Sequence, residues 1–261
     1  MPLIREDRAE AEVSLWNEVG FARDIVTLHL SRTFYGIGVP HGHGAGVILI
    51  PGFLMPDAYL AEMRAWLRRI GYRAYFSGIR WNADCPNLLI QRAVGESLNR
   101  VWRQTGRRVH LIGHSLGGVI ARALASQRPN DVASVITLAS PFRGEVAHRH
   151  VLFAADLVRQ RILRKQEPGV LPDCYTGHCT CDFLQSLRRE MPAEVEQTAI
   201  YTRSDGVVDW RYCITGDPRV DFEVSGTHIG LVFNAAVYML VARRLADSCP
   251  AAAEATPGVV A

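Results

Sequence analysis

The stretch VHLIGHSLGGVIARALA, residues 109–125, constrains the fold more than any other part of the chain. A short apolar run leads into a turn around Ser115, after which apolar residues recur at helical spacing, so a strand followed directly by a helix is predicted. Gly113 and Gly117 flank the serine, where larger side chains would keep strand and helix apart. The hydroxyl is left exposed at a helix N-terminus, which favours negative charge. A serine in an ordinary glycine-rich turn is the alternative, and the flanking strand and helix argue against it.

Short apolar runs and longer helical stretches alternate along most of the remaining chain. The predicted strands are 46–52, 72–78, 107–113, 133–141, 196–203 and 219–226, and the predicted helices are 57–71, 87–106, the stretch after Ser115, and 229–246. Strands that alternate with helices of this length indicate a mainly parallel sheet covered by helices on both faces. The predicted fold class is therefore α/β.

The chain divides into an N-terminal segment, residues 1–45, and a main domain, residues 46–261. The N-terminal segment has helical spacing from residue 7 to about 31, as one helix or a broken one, and ends in a glycine-rich linker. Within the main domain, about residues 142–192 contain helical pieces and no predicted strand. Such an insertion in an open α/β sheet lies over the carboxyl ends of the strands, where ligands bind.

Composition and charge limit the class of partner and the location. Hydrophobic residues make up 48% and charged residues 21%, as in an ordinary globular enzyme, and the net charge of +3 is too scattered for a nucleic-acid surface. No secretory signal and no apolar run of membrane-spanning length is evident, so a cytoplasmic protein is expected. Attachment of the N-terminal helix to a membrane is an alternative. Arg23 and Asp24 interrupt its apolar face, which favours docking on the main domain.

A serine hydroxyl becomes a strong nucleophile only with a base and an acid beside it. For a serine in this strand-to-helix setting the typical chain order is serine, acid, histidine. His228 is the one histidine that follows the last predicted strand, and Asp205 lies in a Ser-Asp-Gly turn at the end of the strand 196–203. Asp209 is the alternative acid, although its position suits a local cap better.

Stabilising the negative oxygen formed during attack requires two backbone N–H groups. The first is expected from Leu116, which directly follows the serine. The second is expected from Phe53, in the loop after the first strand of the main domain, with Leu54 as the alternative donor.

These motifs resemble those of the α/β-hydrolase superfamily, and within it the bacterial triacylglycerol lipase and esterase group with its GPI inositol deacylase-like relatives. The resemblance rests on IPGF, HLIGHSLGGVIAR, ITLASPFRG, SDGVV and GTHIGL and spans about residues 46–246. It implies a carboxylic ester hydrolase with a Ser115, Asp205 and His228 triad, oxyanion donors at Phe53 and Leu116, and an acyl-enzyme intermediate. It further implies an acyl ester or lipid substrate, no cofactor, no metal, and a lid formed by the insertion.

Two positions depart from the family pattern. Many lipases have His-Gly where this chain has Pro51-Gly52, and Pro-His where it has Pro141-Phe142. We expect Leu54, Met55 and Phe142 to contact the substrate. Apolar residues of the lid either line the same site or pack the lid onto the sheet; they are Leu152, Phe153, Leu157 and Phe183.

Five cysteines are expected near the rim of the site, because three fall in the insertion and two follow strands. They are Cys85, Cys174, Cys179, Cys181 and Cys213. Disulfides that clamp the lid, a zinc site that includes His178, and separate reduced thiols are the three alternatives.

Two other function classes compete with ester hydrolysis. An acyltransferase or thioesterase would use the same triad and differ only in the acceptor or the leaving group. A non-catalytic binding module would have no need of a strained nucleophile, so the intact serine, aspartate and histidine set argues against it.

Overall fold

The structure of the protein, a computed structural model, describes residues 8–248. The parts of the predicted segments that fall on residues 1–7 and 249–261 lie outside this range. The strands are β1 (Arg8–Glu10), β2 (Gly46–Ile50), β3 (Arg73–Phe76), β4 (Val109–His114), β5 (Val132–Leu138), β6 (Glu145–Ala147), β7 (Glu196–Tyr201) and β8 (Asp221–Glu223). The helices are α1 (Phe21–Leu30), α2 (Ala61–Arg69), α3 (Pro86–Leu89), α4 (Gly95–Thr105), α5 (Leu116–Gln127), α6 (Arg149–Lys165), α7 (Asp182–Arg188) and α8 (Ala235–Asp247). Between residues 8 and 248 no helix is both long and apolar enough to cross a bilayer.

Six strands form one parallel sheet in the order β3-β2-β4-β5-β7-β8. Every second residue of a strand points to the same face, so a fully apolar strand such as β2 supplies two cores at once. Val47 and Leu49 pack in the core beneath α2 and α8, and Ile48 and Ile50 pack in the core beneath α4 and α5. The predicted fold, a mainly parallel sheet with helices on both faces, is confirmed.

The N-terminal segment is not one helix. Residues 8–10 form β1, residues 15–20 form a 3-10 helix, and only Phe21–Leu30 are α-helical. β1 pairs in parallel with β6, which lies inside the insertion, so the expectation of an insertion without strands is wrong. Both strands are three residues long, too short for a periodic pattern, and each is ordered by its partner.

The insertion contributes two helices above the carboxyl ends of the strands. The longer, α6, keeps Phe153 and Leu157 exposed to solvent. The shorter, α7, packs on α5 and buries Phe183 and Leu187 in the same core as Ile50. The insertion is thus packed on α5 through α7, and side chains of α6 and α7 line the cavity at Ser115, next to the end of β4.

Candidate active site

The backbone is strained at Ser115, where β4 turns into α5. Ser115 has φ +51° and ψ −125°, a conformation that costs a non-glycine residue free energy and persists at functional turns. A Cβ on Gly113 would overlap the backbone of Gly117. A Cβ on Gly117 would lie 2.5 Å from the carbonyl oxygen of Pro51 and closer still to that of Ile50. The glycines therefore allow the close approach of strand and helix that presents the half-buried serine to a cavity.

Asp205 and His228 form a buried pair. Asp205 Oδ2 accepts a hydrogen bond from His228 Nδ1 at 2.8 Å. Asp205 Oδ1 accepts the backbone N–H groups of Val207 and Val208, both at 2.8 Å. Asp209 instead caps the short 3-10 helix Trp210–Tyr212 and pairs with Arg211. The loops after β7 and β8 thus hold the carboxylate and the imidazole in one orientation.

Opposing effects act on the pKa of His228. Burial favours the neutral ring and lowers the pKa, while the charge and hydrogen bond of Asp205 and the charge of Glu18 raise it. The net result is a pKa above the ordinary value for histidine. The hydrogen bond to Asp205 places the proton of the neutral ring on Nδ1, which leaves Nε2 as the basic nitrogen.

His114, next to the serine, supports the loop of His228. Its Nε2 lies 3.0 Å from the carbonyl oxygen of His228, and the two rings are 4.8 Å apart. Burial, and next the nearby charge of His228, lower the pKa of His114 to about 3. His114 is therefore neutral, with its proton on Nε2, because only an N–H can pair with a carbonyl oxygen.

Phe53 and Leu116, the predicted oxyanion donors, both line the cavity that contains Ser115. Leu116 is the first residue of α5, where N–H groups have no acceptor within the helix. Neither N–H donates to any residue between 8 and 248. The alternative donor, the N–H of Leu54, is already bonded to the carbonyl oxygen of Asn82 at 2.9 Å.

A cavity of about 180 Å³ opens at Ser115. Phe142, predicted to contact substrate, lies in its wall, and so does Phe183 of the insertion. Leu54 and Met55, also predicted to contact substrate, are not among its lining residues, although Leu54 packs on the cluster that includes Cys85 and Cys174 of the wall. The helices α5, α6 and α7 contribute further apolar side chains to the wall, among them Val119, Val151, Ala155, Leu184 and Leu187.

Four of the five expected thiols share this cavity wall. Cys85 and Cys174 are hydrogen-bonded to each other, as are Cys179 and Cys181. Cys213 does not line the cavity itself but is buried behind its wall, against the lining residues Ala147 and Val208. All five are free thiols. Within residues 8–248, no group of three or more His, Cys, Asp or Glu side chains is arranged to hold a metal ion, and the zinc alternative gains no support.

One acidic residue at the site was not predicted. The carboxylate of Glu18 is buried between the loops of Asp205 and His228 and accepts hydrogen bonds from both. No sequence motif marks it, since it lies in the N-terminal segment among exposed residues. Only the structure shows that Glu18 is buried while its apolar neighbours Trp16 and Val19 are exposed.

The parallel sheet, the strained serine turn and the acid–histidine pair on later loops define the α/β-hydrolase fold. The sequence pattern of the family described as alpha/beta hydrolase fold matches residues 90–171, which include β4, Ser115 and α5. Together with the structural likeness below, this match supports the α/β-hydrolase superfamily.

Three solved structures illustrate the likeness. The mature form of the lipase BlEst2 from Bacillus licheniformis is 15% identical, with 80% of this chain and 95% of that chain covered and a TM-score of 0.52. One of the metagenome-derived lipolytic enzymes LipS and LipT has the same identity and coverage and a TM-score of 0.51. A soluble variant of monoglyceride lipase from Saccharomyces cerevisiae, bound to a substrate analogue, is 15% identical over 82% of this chain and 91% of that chain, with a TM-score of 0.50. At such identities the likeness establishes the fold.

Proposed function

We propose that this protein is a serine hydrolase that cleaves carboxylic esters. The observation that carries the proposal is the combination of a buried Asp205–His228 hydrogen bond with a strained Ser115 that lines a largely apolar cavity. A binding module would gain nothing from a strained serine or from an aspartate–histidine pair. Lipases and esterases among the similar structures support the same reaction class.

In the proposed reaction, Ser115 Oγ attacks the ester carbonyl carbon while His228 Nε2 takes the hydroxyl proton. Asp205 keeps the ring oriented and stabilises the imidazolium. When the tetrahedral intermediate collapses, His228 returns the proton to the departing alcohol. Water then attacks the acyl-enzyme with the same base and releases the acid, which restores Ser115.

The oxyanion of the intermediate is assigned to the N–H groups of Phe53 and Leu116. Both are unpaired among residues 8–248, and both border the cavity at Ser115. Preorganised donors of this kind stabilise a transition state at no reorganisation cost, and removal of one typically costs about 10²–10³-fold in rate.

The substrate we infer is an ester with a short apolar acyl group. The wall contains aromatic and aliphatic side chains such as Phe142, Phe183 and Leu187. An apolar cavity of about 150 Å³ is large enough for benzene, so the cavity here suits an acyl group of about six carbons. Longer chains would have to extend past the wall into solvent.

The first test is labelling with a fluorophosphonate probe, together with hydrolysis of p-nitrophenyl esters from acetate to palmitate. We expect wild type to be labelled and Ser115→Ala to be neither labelled nor active, with highest kcat/KM near the hexanoate ester. Ser225→Ala, which changes an exposed serine, serves as the matched control and should behave as wild type. Equal labelling of Ser115→Ala and wild type would refute the assignment of the nucleophile.

A further inference from the structure

Glu18 lies where an isolated acidic side chain would be expected to point into solvent. Its residue is only 8% exposed, whereas Trp16 and Val19 in the same 3-10 helix are 83% and 65% exposed. Burying a carboxylate is costly unless hydrogen-bond donors surround it. The hydrogen-bond donors around Glu18 therefore indicate the role of its carboxylate.

Three backbone N–H groups from two loops converge on this carboxylate. Oε1 accepts from Gly206 at 2.9 Å and from His228 at 3.0 Å, and Oε2 accepts from Ile229 at 2.9 Å. Gly206 directly follows Asp205 in the chain. The carboxylate therefore connects the loop of the proposed acid to the loop of the proposed base, in addition to their own hydrogen bond.

We propose that Glu18 is a positioning residue that fastens the Asp205 loop to the His228 loop and fixes the imidazole relative to Ser115. This inference rests on the proposed ester hydrolysis and extends it, because it assigns part of the site's assembly to the N-terminal segment. A charge-assisted hydrogen bond is roughly twice as strong as a neutral one, so a carboxylate suits this task better than an amide.

The fit between the segment and the two loops is tight. A Cβ on Gly206 would lie 2.5 Å from the carbonyl oxygen of Ser14 and 2.9 Å from Glu18 Oε1, so only glycine fits at that position. The carboxyl of Asp24, one helical turn beyond Gly20, faces the backbone of Thr227 in the histidine loop. The segment thus contacts both sides of His228 through acidic side chains.

The charge of Glu18 also acts on the proton affinity of the base. The titratable groups that face His228 and its loop are Asp205, Glu18, Asp24, His114 and Tyr59. Burial keeps His114 and Tyr59 neutral near pH 7, because it lowers the pKa of the first and raises the pKa of the second. The acidic groups therefore dominate, and Glu18 contributes to the raised pKa of His228.

Two substitutions separate the charge of Glu18 from its reach. Glu18→Gln keeps the length but removes the charge and turns an amide N–H toward the N–H of Ile229. Glu18→Asp keeps the charge but is too short to reach both loops. Glu12→Gln, an exposed position in the same segment, is the matched control for loss of one negative charge.

For folded Glu18→Gln we expect kcat to fall by about ten- to a hundredfold, because a misplacement of the reacting groups by about 1 Å can cost about a hundredfold in rate. Activity requires neutral His228, so the acid limb of the pH profile of kcat/KM follows the pKa of that residue. Loss of the negative charge lowers this pKa, and the acid limb of kcat/KM moves to lower pH. Glu18→Asp should lose kcat while it keeps the acid limb closer to that of wild type, and Glu12→Gln should match wild type in both.

A folded Glu18→Gln with kcat within twofold of wild type and an unmoved acid limb would overturn the inference. If that variant does not fold, Glu18→Asp decides the question, since unchanged kcat there would equally contradict a positioning role. If wild type hydrolyses no ester, the proposed function fails separately. The His228 titration in wild type and Glu18→Gln, followed by NMR, then tests Glu18 without any need for activity, and identical titrations would refute it.

Discussion

Replacement of Asp205 by asparagine tests the site most sharply, because the surrounding hydrogen bonds dictate how the new amide must orient. The carbonyl end of the amide has to face the N–H groups of Val207 and Val208, which now donate to Asp205 Oδ1 at 2.8 Å. The opposite orientation would leave both N–H groups unpaired, at about 1–3 kcal/mol each. The amide NH₂ therefore points at His228 Nδ1 and donates to it.

A donor at that position reverses the tautomer of His228. The ring proton moves to Nε2, the nitrogen that should accept the proton of Ser115, and the base is disabled while the fold is retained. We expect kcat to fall about 10⁴-fold, as for the same change in a serine protease triad, which corresponds to about 5.5 kcal/mol of activation free energy.

The assay is steady-state hydrolysis of p-nitrophenyl hexanoate, with thermal unfolding to establish that the variant is folded. Asp209→Asn is the matched control, because Asp209 caps a 3-10 helix at the surface, and it should stay within about twofold of wild type in line with ordinary surface changes. If folded Asp205→Asn kept more than a tenth of the wild-type kcat, Asp205 would not be the group that orients the base.

Three further changes probe the turn, the cavity and the thiols. Gly117→Ala should destabilise the protein by about 3 kcal/mol or more, since its Cβ would overlap carbonyl oxygens at the end of β2, and urea unfolding measures this cost. Leu184→Trp adds bulk to the cavity wall and should shift the preferred p-nitrophenyl ester to a shorter acyl chain; an unchanged chain-length profile would contradict the cavity as the acyl site. The hydrogen bond with Cys174 lowers the pKa of Cys85 against the opposing effect of burial, so methyl methanethiolsulfonate should inactivate the enzyme at pH 7. Cys85→Ser should protect against it, whereas Cys213→Ser, at a buried thiol that does not line the cavity, should not.

The sheet and the serine turn could be predicted because each follows from a local residue pattern, and the acid–histidine pair because it follows from chain order. A five-residue apolar run such as β2 can be buried on both faces only within a covered sheet. The glycines around Ser115 indicate that the strand and the helix on either side of the serine approach each other closely. Chain order then selects His228 from nine histidines, and its contact with Asp205 agrees with that choice.

The loop after β2 shows why other details could not be predicted. Phe53, Leu54 and Met55 are all large and apolar, so the sequence does not show which of these side chains lines the cavity. Of the three, Phe53 alone lines the cavity, in a loop whose backbone at Leu54 and Met55 is bonded to Asn82. Asn82 lies on a different loop, and its contact depends on the assembled sheet.

The position of the N-terminal segment could not be predicted either, because its contacts are with residues far away in the chain. These contacts explain why the segment lies against the site. β1 pairs with β6, the acid loop bridges to β6 through Val208 and Ala147, and Glu18 then returns to the acid loop at Gly206. Through these contacts the N-terminal segment, β6 at the start of the insertion, and the loop of Asp205 are each bonded to the other two. A shift of the insertion would therefore be resisted at β1 and transmitted to the loops that hold the base. The segment is a structural part of the candidate active site, even though none of its residues is proposed to touch the reacting atoms.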